Sequence, residues 1–152
     1  MTKFPLIVFS LIIFLSPIYK VSYHQNGILK SEGWLDDDKK IDYWHFYYSN
    51  GNIKSKGHYD NNAKDKYWHY FDLNGNKVEE GRYKNDMKHG WWKIYKQDTL
   101  IEVKYNYSIK TGLAIYYVGS NPVKAEYYKK GNKTNEWFNL RDFKREYPLV
   151  ND

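Results

Sequence analysis

A 24-residue internal repeat is the feature of this sequence that most constrains its fold. Trp44, Trp68 and Trp92 follow one another at intervals of 24 residues. The same interval relates two sets of glycines, which are Gly27, Gly51 and Gly75, and Gly33, Gly57 and Gly81. A fixed period of this length indicates tandem supersecondary units, each of which buries its apolar face only by stacking on its neighbours.

The repeat shortens by two residues after its third copy. Lys88-His89-Gly90 recurs as Lys110-Thr111-Gly112, which is 22 residues further along the chain. A fifth, degraded copy runs from Val123 to Phe138 and contains Trp137. Terminal units of a repeat array are commonly atypical. The sequence therefore predicts about five copies over residues 22–138.

Each copy predicts a β-hairpin. In the second copy, residues 52–59 and 67–71 read as extended segments, and residues 60–66 read as a polar loop between them. The Asn50-Gly51 and Asn74-Gly75 pairs predict type I′ turns, which need positive φ at both central positions. An aromatic content of 20% also favours strands. We predict an all-β fold, an elongated single-layer antiparallel meander of about ten short strands.

Alternation along the strands separates two aromatic-rich faces. Trp68 and Tyr70 fall on one face, and Tyr67, His69 and Phe71 fall on the other. Alternation alone leaves open which face is buried. We expect the tryptophans to form one buried column, with a strand glycine leaving room for each indole ring. The positions assigned to this framework are Trp44, Trp68, Trp92, Trp137, Gly33, Gly57, Gly81, Gly51 and Gly75.

The face opposite the tryptophans is the candidate interaction surface. Its aromatic residues are Tyr43, Tyr67, Trp91, Tyr47, Phe71 and Tyr95. An exposed ladder of rings could take peptides, or could stack against sugars of the cell wall. The alternative is that these rings pack within the sheet. An exposed apolar strip marks an interaction site.

One copy resembles a known repeat family. Residues 81–95, with Gly81, Tyr83, Gly90, Trp92 and Tyr95, are similar to the MORN repeat, whose pattern is G-x-Y, a short polar loop, then G-x-W-x-x-Y. The Asn-Gly turn and Lys-rich strand over residues 47–57 resemble the bacterial variant repeats, which are commonly grouped as toxin–antitoxin-associated antitoxins. The resemblance covers about residues 22–138. It implies an antiparallel meander and a role in protein or membrane association without catalysis.

The match to the MORN pattern is incomplete in three copies. Asp42 and Lys66 replace the glycine that precedes the aromatic pair in copies one and two. Ala114 replaces the tryptophan in copy four. These departures leave the expected fold unchanged, but they make a binding surface shared by all copies less well defined.

Residues 1–20 form the expected leader. Lys3 precedes an apolar run over residues 4–18, which is the layout of a secretory signal. The run is shorter than the roughly 20 residues of a comfortable membrane span, and no small-x-small cleavage triplet follows it. A cleaved signal, an uncleaved signal-anchor and a buried element of the fold all remain open. We expect an exported protein, either periplasmic or extracellular, or anchored in the membrane through residues 4–18.

The last segment, residues 139–152, is expected to cap the array. One or two helical turns before Pro148 would place Phe143 and Tyr147 on one side, against the last hairpin.

No arrangement of residues in the sequence points to catalysis. The chain has no cysteine, and His45 and His69 are two potential ligands where zinc needs three or four. The Asp36-Asp37-Asp38 run lacks the glycine and the terminal glutamate of a calcium loop. No nucleophile, phosphate-binding or dinucleotide-binding motif is present. We therefore predict a protein that is not an enzyme, with no catalytic residues, no cofactor and no metal site.

The net charge of +6 leaves several classes of partner open. The lysines are spread along the chain among acidic residues, as on an ordinary solvated surface, so nucleic acid is not the expected partner. Three functions remain. They are an association module for an unknown protein partner at the cell envelope, with possible contact to the membrane or wall; a glycan-binding or wall-binding module; and an antitoxin-like neutraliser of a cognate protein.

Overall fold

The computed structural model describes residues 16–146, which fold into one antiparallel sheet. The strands are β1 (Ile18–Tyr23), β2 (Leu29–Asp36), β3 (Lys39–Tyr47), β4 (Ile53–Asp60), β5 (Ala63–Phe71), β6 (Lys77–Lys84), β7 (Met87–Lys96), β8 (Thr99–Asn106), β9 (Ile109–Val118), β10 (Asn121–Lys129) and β11 (Asn132–Trp137). Their order in the sheet is their order in the chain. The predicted all-β single-layer meander is confirmed, with eleven strands where the sequence suggested about ten.

The sheet begins earlier than the repeat pattern suggested. Strand β1 starts at Ile18, so residues 18–20 are part of the sheet although the sequence assigned them to the leader. Residues 1–15 lie outside the described residues, and so do Tyr147 and Pro148 of the expected capping tail.

Two-residue turns close the hairpins along one edge of the sheet. Positive φ at both positions, as in type I′ turns, occurs at Asp37-Asp38, Asn61-Asn62, Asn85-Asp86, Tyr107-Ser108 and Lys130-Gly131. The polar loop predicted over residues 60–66 is therefore wrong. The chain reverses within two residues, and residues 63–65 pair with β4.

The Asn-Gly pairs lie along the opposite edge, and they do not form type I′ turns. Positive φ is confined to the glycine, with a value of 89° at Gly51, while Asn50 stays outside that region. The Gly51 N–H donates to Tyr48 O at 3.0 Å, as in a type I turn followed by a left-handed glycine. The predicted turn type is corrected here. Asn50 is the third residue of this turn, a position with negative φ, and its side-chain oxygen accepts the Asn52 N–H at 3.0 Å.

Polar turn residues also join each hairpin to the next. The Asn62 side-chain oxygen accepts the backbone N–H of Lys40 at 2.7 Å, and the Asp86 carboxylate accepts that of Lys64 at 2.8 Å. On the other edge, the Asn50 amide donates to Leu73 O at 2.9 Å. These contacts connect equivalent positions of successive copies, so the 24-residue spacing appears directly in the hydrogen bonds.

Three indoles form the buried column of one face, which we call the tryptophan face (Trp44, Trp68 and Trp92). All three are at most 3% exposed. A Cβ built on Gly33, Gly57 or Gly81 would lie 2.3–2.4 Å from Cδ2 of the covering indole, so only glycine leaves the space that the ring occupies. Each indole N–H donates to a backbone carbonyl of the preceding strand, as Trp68 does to His58 O at 2.9 Å. The expected indole–glycine packing is present.

Trp137 does not continue this column, contrary to the sequence expectation. The strand register pairs Trp137 with Ala125 and Ala125 with Ile115, which lie on the face opposite Trp92. Trp137 is buried there against Phe143 of helix α1 (Leu140–Glu146), with ring centroids 5.6 Å apart. The column ends at Val103 and Ala114 instead. The irregular final copy moved Trp137 out of register, which a count of tryptophans cannot reveal.

The short helix caps the end of the sheet. Asn139 begins it as an N-cap, because its side-chain oxygen accepts the Asp142 N–H at 2.8 Å. Phe143 is 2% exposed and covers Ala125 and Trp137. A helical cap formed by the segment after residue 138, with Phe143 as its contact residue, is therefore present.

Candidate functional site

The six aromatic residues predicted as an interaction surface lie together on one face of the sheet. We call this the ladder face and define it by its outer row (Tyr43, Tyr67 and Trp91) and its inner row (Tyr47, Phe71 and Tyr95). Strand alternation places both rows opposite the tryptophan face.

The outer row is the exposed part of the ladder face. The exposed fraction of Trp91 is 50% and that of Tyr67 is 37%. Tyr43 is half-buried because its ring packs edge-on against His45 and His58, with centroids 5.1 and 4.9 Å away. These rings sit on alternate strands, two strand spacings apart, so neighbouring members are about 10 Å from one another.

The inner row is bound into the sheet instead. The Tyr95 hydroxyl donates to Glu80 at 2.6 Å, and the Tyr47 hydroxyl donates to Glu32 at 2.7 Å. Burial and the hydrogen bond to the Glu32 carboxylate raise the pKa of Tyr47 to about 12. The hydroxyl groups of Tyr47 and Tyr95 are therefore used within the sheet, and the two exposed rings, Tyr67 and Trp91, both belong to the outer row.

Three glutamates on the ladder face, Glu32, Glu80 and Glu102, have partners within this chain. Glu80 is 7% exposed and accepts hydrogen bonds from Lys77 at 2.8 Å and His69 at 3.0 Å as well as from Tyr95. Burial alone would raise the pKa of Glu80, but hydrogen bonds from Lys77 and Tyr95 outweigh it and lower the pKa. Glu102 pairs with Lys93 at 3.4 Å.

Basic residues interleave with the rings of the outer row, a feature that the sequence analysis missed. His58 pairs directly with Tyr43 across the strands, Arg82 pairs with Tyr67, and Lys104 pairs with Trp91. Arg82 and Lys104 are exposed and form no ion pair within residues 16–146. The sequence does mark this position of the repeat, because the residue after each glycine of the 24-residue series occupies it. These residues are Trp34, His58 and Arg82.

Two further aromatic residues extend the outer row toward β1. Tyr19 and Trp34 pair across β1 and β2, with ring centroids 5.2 Å apart in an edge-to-face arrangement. Their exposed fractions are 49% and 42%. They were not among the predicted surface residues, because neither belongs to the aromatic positions that the tryptophan spacing singled out.

A depression of about 480 Å³ lies between two members of the outer row. Its walls include Tyr67 and Trp91, with Arg82, Lys93 and Glu102 between and beside them. The predicted surface thus contains a concave site, where one ring on each side flanks a guanidinium group.

The exposed indoles differ from the buried ones in their hydrogen bonding. The N–H groups of Trp44, Trp68, Trp92 and Trp137 all donate to acceptors within the chain. The N–H groups of Trp34 and Trp91 have no acceptor among the described residues. Trp91 therefore presents a free donor at the edge of the depression.

The two histidines considered as metal ligands lie next to glutamates on the neighbouring strands. His69 contacts Glu80, and His45 lies 3.9 Å from Glu32. In the part of the chain that the structure describes, no three His, Asp or Glu side chains come together as a metal site.

Helix α1 has seven residues, and no described helix is long and apolar enough to cross a membrane.

Comparisons of the sequence with protein-family models and with curated proteins found no match.

Proposed function

We propose that this chain is a non-catalytic binding module that associates with a partner protein through the outer row of its ladder face. The observation that carries this proposal is the depression between Tyr67 and Trp91, where exposed rings adjoin a free guanidinium group. Tyrosine, tryptophan and arginine are the residues that most often dominate binding energy at protein interfaces.

The internal neutralisation of the neighbouring carboxylates supports the same function. Because Glu80 pairs with Lys77 and Glu102 pairs with Lys93, the exposed Arg82 and Lys104 make the area around Tyr67 and Trp91 positively charged. A partner with acidic groups would gain both charge complementarity and apolar contact there.

The cell envelope is the proposed location. This part of the proposal rests on the signal-like layout of residues 1–20. The MORN resemblance supports association over catalysis. It also keeps an antitoxin-like role open as one form of protein association, in which the partner is a toxic protein.

A glycan-binding module is the second candidate. Extended polysaccharides present the same face of a sugar ring once per disaccharide. The spacing of about 10 Å between outer-row rings suits such a repeat and favours this candidate.

Quantitative capture tests the proposal. Tagged full-length chain, the Tyr67→Ala/Trp91→Ala double variant and a Phe138→Ala control would each be incubated with a detergent-solubilised lysate of the source cells. Phe138 is a matched control because its ring is 73% exposed but lies by Lys124 on the side of the tryptophan face. We expect a stoichiometric protein to be retained by the wild type and the control, and to fall about tenfold with the double variant.

Two outcomes would contradict the proposal. One is a captured protein whose yield is the same for all three chains. The other is capture of wall fragments alone, released by soluble glycan, which would favour the glycan-binding candidate.

A further inference from the structure

The geometry points to a specific ligand class for the outer row: a proline-rich segment with regularly spaced acidic residues, bound as a polyproline II helix. This inference rests on the proposed function and names the kind of segment that the partner presents.

The spacing of the rings matches the repeat of such a helix. Outer-row rings lie two strands apart, which is about 9.6 Å at the usual distance between strands. A polyproline II helix has three residues per turn and rises about 3.1 Å per residue, so it repeats about every 9.3 Å. Every third residue of the ligand would therefore meet an equivalent ring. From Tyr43 to Trp91 the row spans about six residues of ligand.

The shape of the site favours insertion over flat stacking. The depression of about 480 Å³ is walled by Tyr67 and Trp91, and a proline ring entering it would contact both aromatic side chains. Proline-rich segments are generally recognised in aromatic-lined grooves of this kind. They also lose little conformational entropy on binding, because the helix is largely preformed.

The free polar groups at the site are hydrogen-bond donors. The Trp91 indole N–H and the Arg82 guanidinium have no acceptor among the described residues, whereas the nearby Glu102 is paired with Lys93. A polyproline II helix has no internal hydrogen bonds, so its carbonyls are free acceptors, and its prolines have no N–H to satisfy. Donors on one side therefore meet acceptors on the other. A sugar chain would bring hydroxyl donors as well.

Arg82 and Lys104 indicate which residue the ligand carries at the one position of each three-residue turn that is not proline. Arg82 and Lys104 stand between and beside the rings without carboxylate partners among residues 16–146. A glutamate at every third position of the segment would pass close to them while the prolines occupy the spaces between the rings.

Peptide titration against the full-length chain tests the inference. A fluorescent peptide of four Pro-Pro-Glu triplets would be compared with Pro-Pro-Lys and Gly-Gly-Glu peptides of the same length. We expect the Pro-Pro-Glu peptide to bind at least tenfold more tightly than either. The lysine peptide has the wrong charge, and the glycine peptide lacks the preformed helix.

Two variants and one control connect this binding to the depression. Trp91→Ala should weaken binding of the Pro-Pro-Glu peptide about tenfold, and Phe138→Ala should leave it unchanged. Arg82→Glu should reverse the preference, so that the Pro-Pro-Lys peptide binds better than the Pro-Pro-Glu peptide.

Several results would overturn the inference. They are equal binding of the Gly-Gly-Glu peptide, tighter binding of a hyaluronan oligosaccharide or of a 12-nucleotide oligothymidine, and a Kd above about 1 mM for the Pro-Pro-Glu peptide. If the peptide fails while cell-derived protein is still captured through Tyr67 and Trp91, the ligand class is wrong and the proposed function stands. If capture also fails, both are wrong.

Discussion

Individual residues hold unusual backbone conformations where each hairpin packs against its tryptophan. Strands β3, β5, β7 and β9 each have a bulge residue with positive φ just before the aromatic pair or its equivalent. These residues are Asp42, Lys66, Gly90 and Gly112, with φ between 57° and 72°. Copies three and four have the glycine that this conformation favours. In copies one and two, Asp42 and Lys66 adopt the same positive φ. These copies therefore depart from the MORN pattern in the residue type but keep the same backbone conformation.

Replacing the bulge lysine by glycine should stabilise the protein. Lys66 has a φ of 57° and is exposed, so Lys66→Gly removes backbone strain without removing a packed side chain. We expect the free energy of unfolding to rise by about 0.5–1 kcal/mol after the entropic cost of glycine is included. Equilibrium urea denaturation measures it. Asp42→Gly should gain less because aspartate tolerates this region better, and a loss of stability in both variants would contradict the argument.

The two kinds of glycine should respond differently to alanine. At Gly57 the new methyl group would lie 2.4 Å from Trp68 Cδ2, and the indole is held by its hydrogen bond to His58 O. We expect Gly57→Ala to destabilise the fold by about 2–3 kcal/mol. At Gly75 nothing lies within 4 Å, so only the φ of +87° opposes a side chain, and the loss should be about 1 kcal/mol. Equal losses in thermal or urea unfolding would mean that indole contact is not the reason for glycine at position 57.

At the scale of the hairpin, lysines cover the tryptophan face. Lys64 Nζ lies 4.8 Å from the Trp68 ring centroid and 5.1 Å from that of Tyr83. Lys88 takes the same position over Trp92 one copy later, at 4.1 Å. Burial lowers the pKa of Lys64. A single-layer sheet has no second layer to cover its aromatic rings, and these lysine stems and ammonium groups cover part of that surface. The lysine-rich composition is therefore partly structural.

A buried glutamate on β10, Glu126, should make the protein less stable at acid pH. Glu126 is 4% exposed beside Ala114, where the column lacks an indole. Burial would raise its pKa, but hydrogen bonds from Lys124, Tyr116 and Tyr128 lower it to about 2. Since the folded pKa lies below the ordinary value of 4.5, the stabilisation is complete above that value and is lost as pH falls toward 2. The loss is at most about 3 kcal/mol.

Urea unfolding between pH 6 and pH 2 would test this dependence in wild type and Glu126→Gln. The variant should be less stable near neutral pH and should lose less stability on acidification. Glu102→Gln is the control, because its side chain is 31% exposed and pairs with Lys93, which is not a partner of Glu126. An unchanged pH profile in Glu126→Gln would show that this carboxyl group is not the titrating residue.

At the scale of the whole molecule, the sheet is a one-dimensional array. Each strand pairs only with its sequence neighbours, and the copies are joined by equivalent contacts at each turn. Stability in such an array is close to a sum of terms for each repeat and for each interface between repeats. The helix over β10 and β11 interrupts this regularity and covers the end of the array.

Removing one whole copy should therefore leave a folded protein. Deletion of residues 53–76 joins Asn52 to Lys77 in the same repeat register and removes β4 and β5. We expect a cooperative transition with lower stability and a urea m-value reduced by about a fifth, in proportion to the strands lost. Deletion of residues 53–64, half a period, is the control and should not fold, since it places turn residues within strands. Failure of the full-period deletion to fold would mean that the copies are not interchangeable.

Much of the fold and part of the site follow from periodicity alone. The intervals between tryptophans and glycines predicted the meander, the indole–glycine contact and the face that contains Tyr67 and Trp91, because a repeated spacing places equivalent residues at equivalent positions. The cations Arg82 and Lys104 were missed because charged residues are common along the chain, and only the cross-strand register shows which of them adjoin a ring.

The tertiary structure decided the features that depend on register and end effects. Sequence spacing could not show that Trp137 lies on the face opposite Trp92, because one register shift in the last copy changes which residues share a face. It assigned the Asn-Gly pairs to the wrong turn type, because Gly51 and Gly75 are the fourth residues of turns closed by their N–H groups to Tyr48 O and Asp72 O, so the pairs do not occupy the two central positions. The sequence by itself determined a stack of hairpins, since its period repeats the same local chemistry. Only cross-strand pairing decided which rings are buried and which remain exposed.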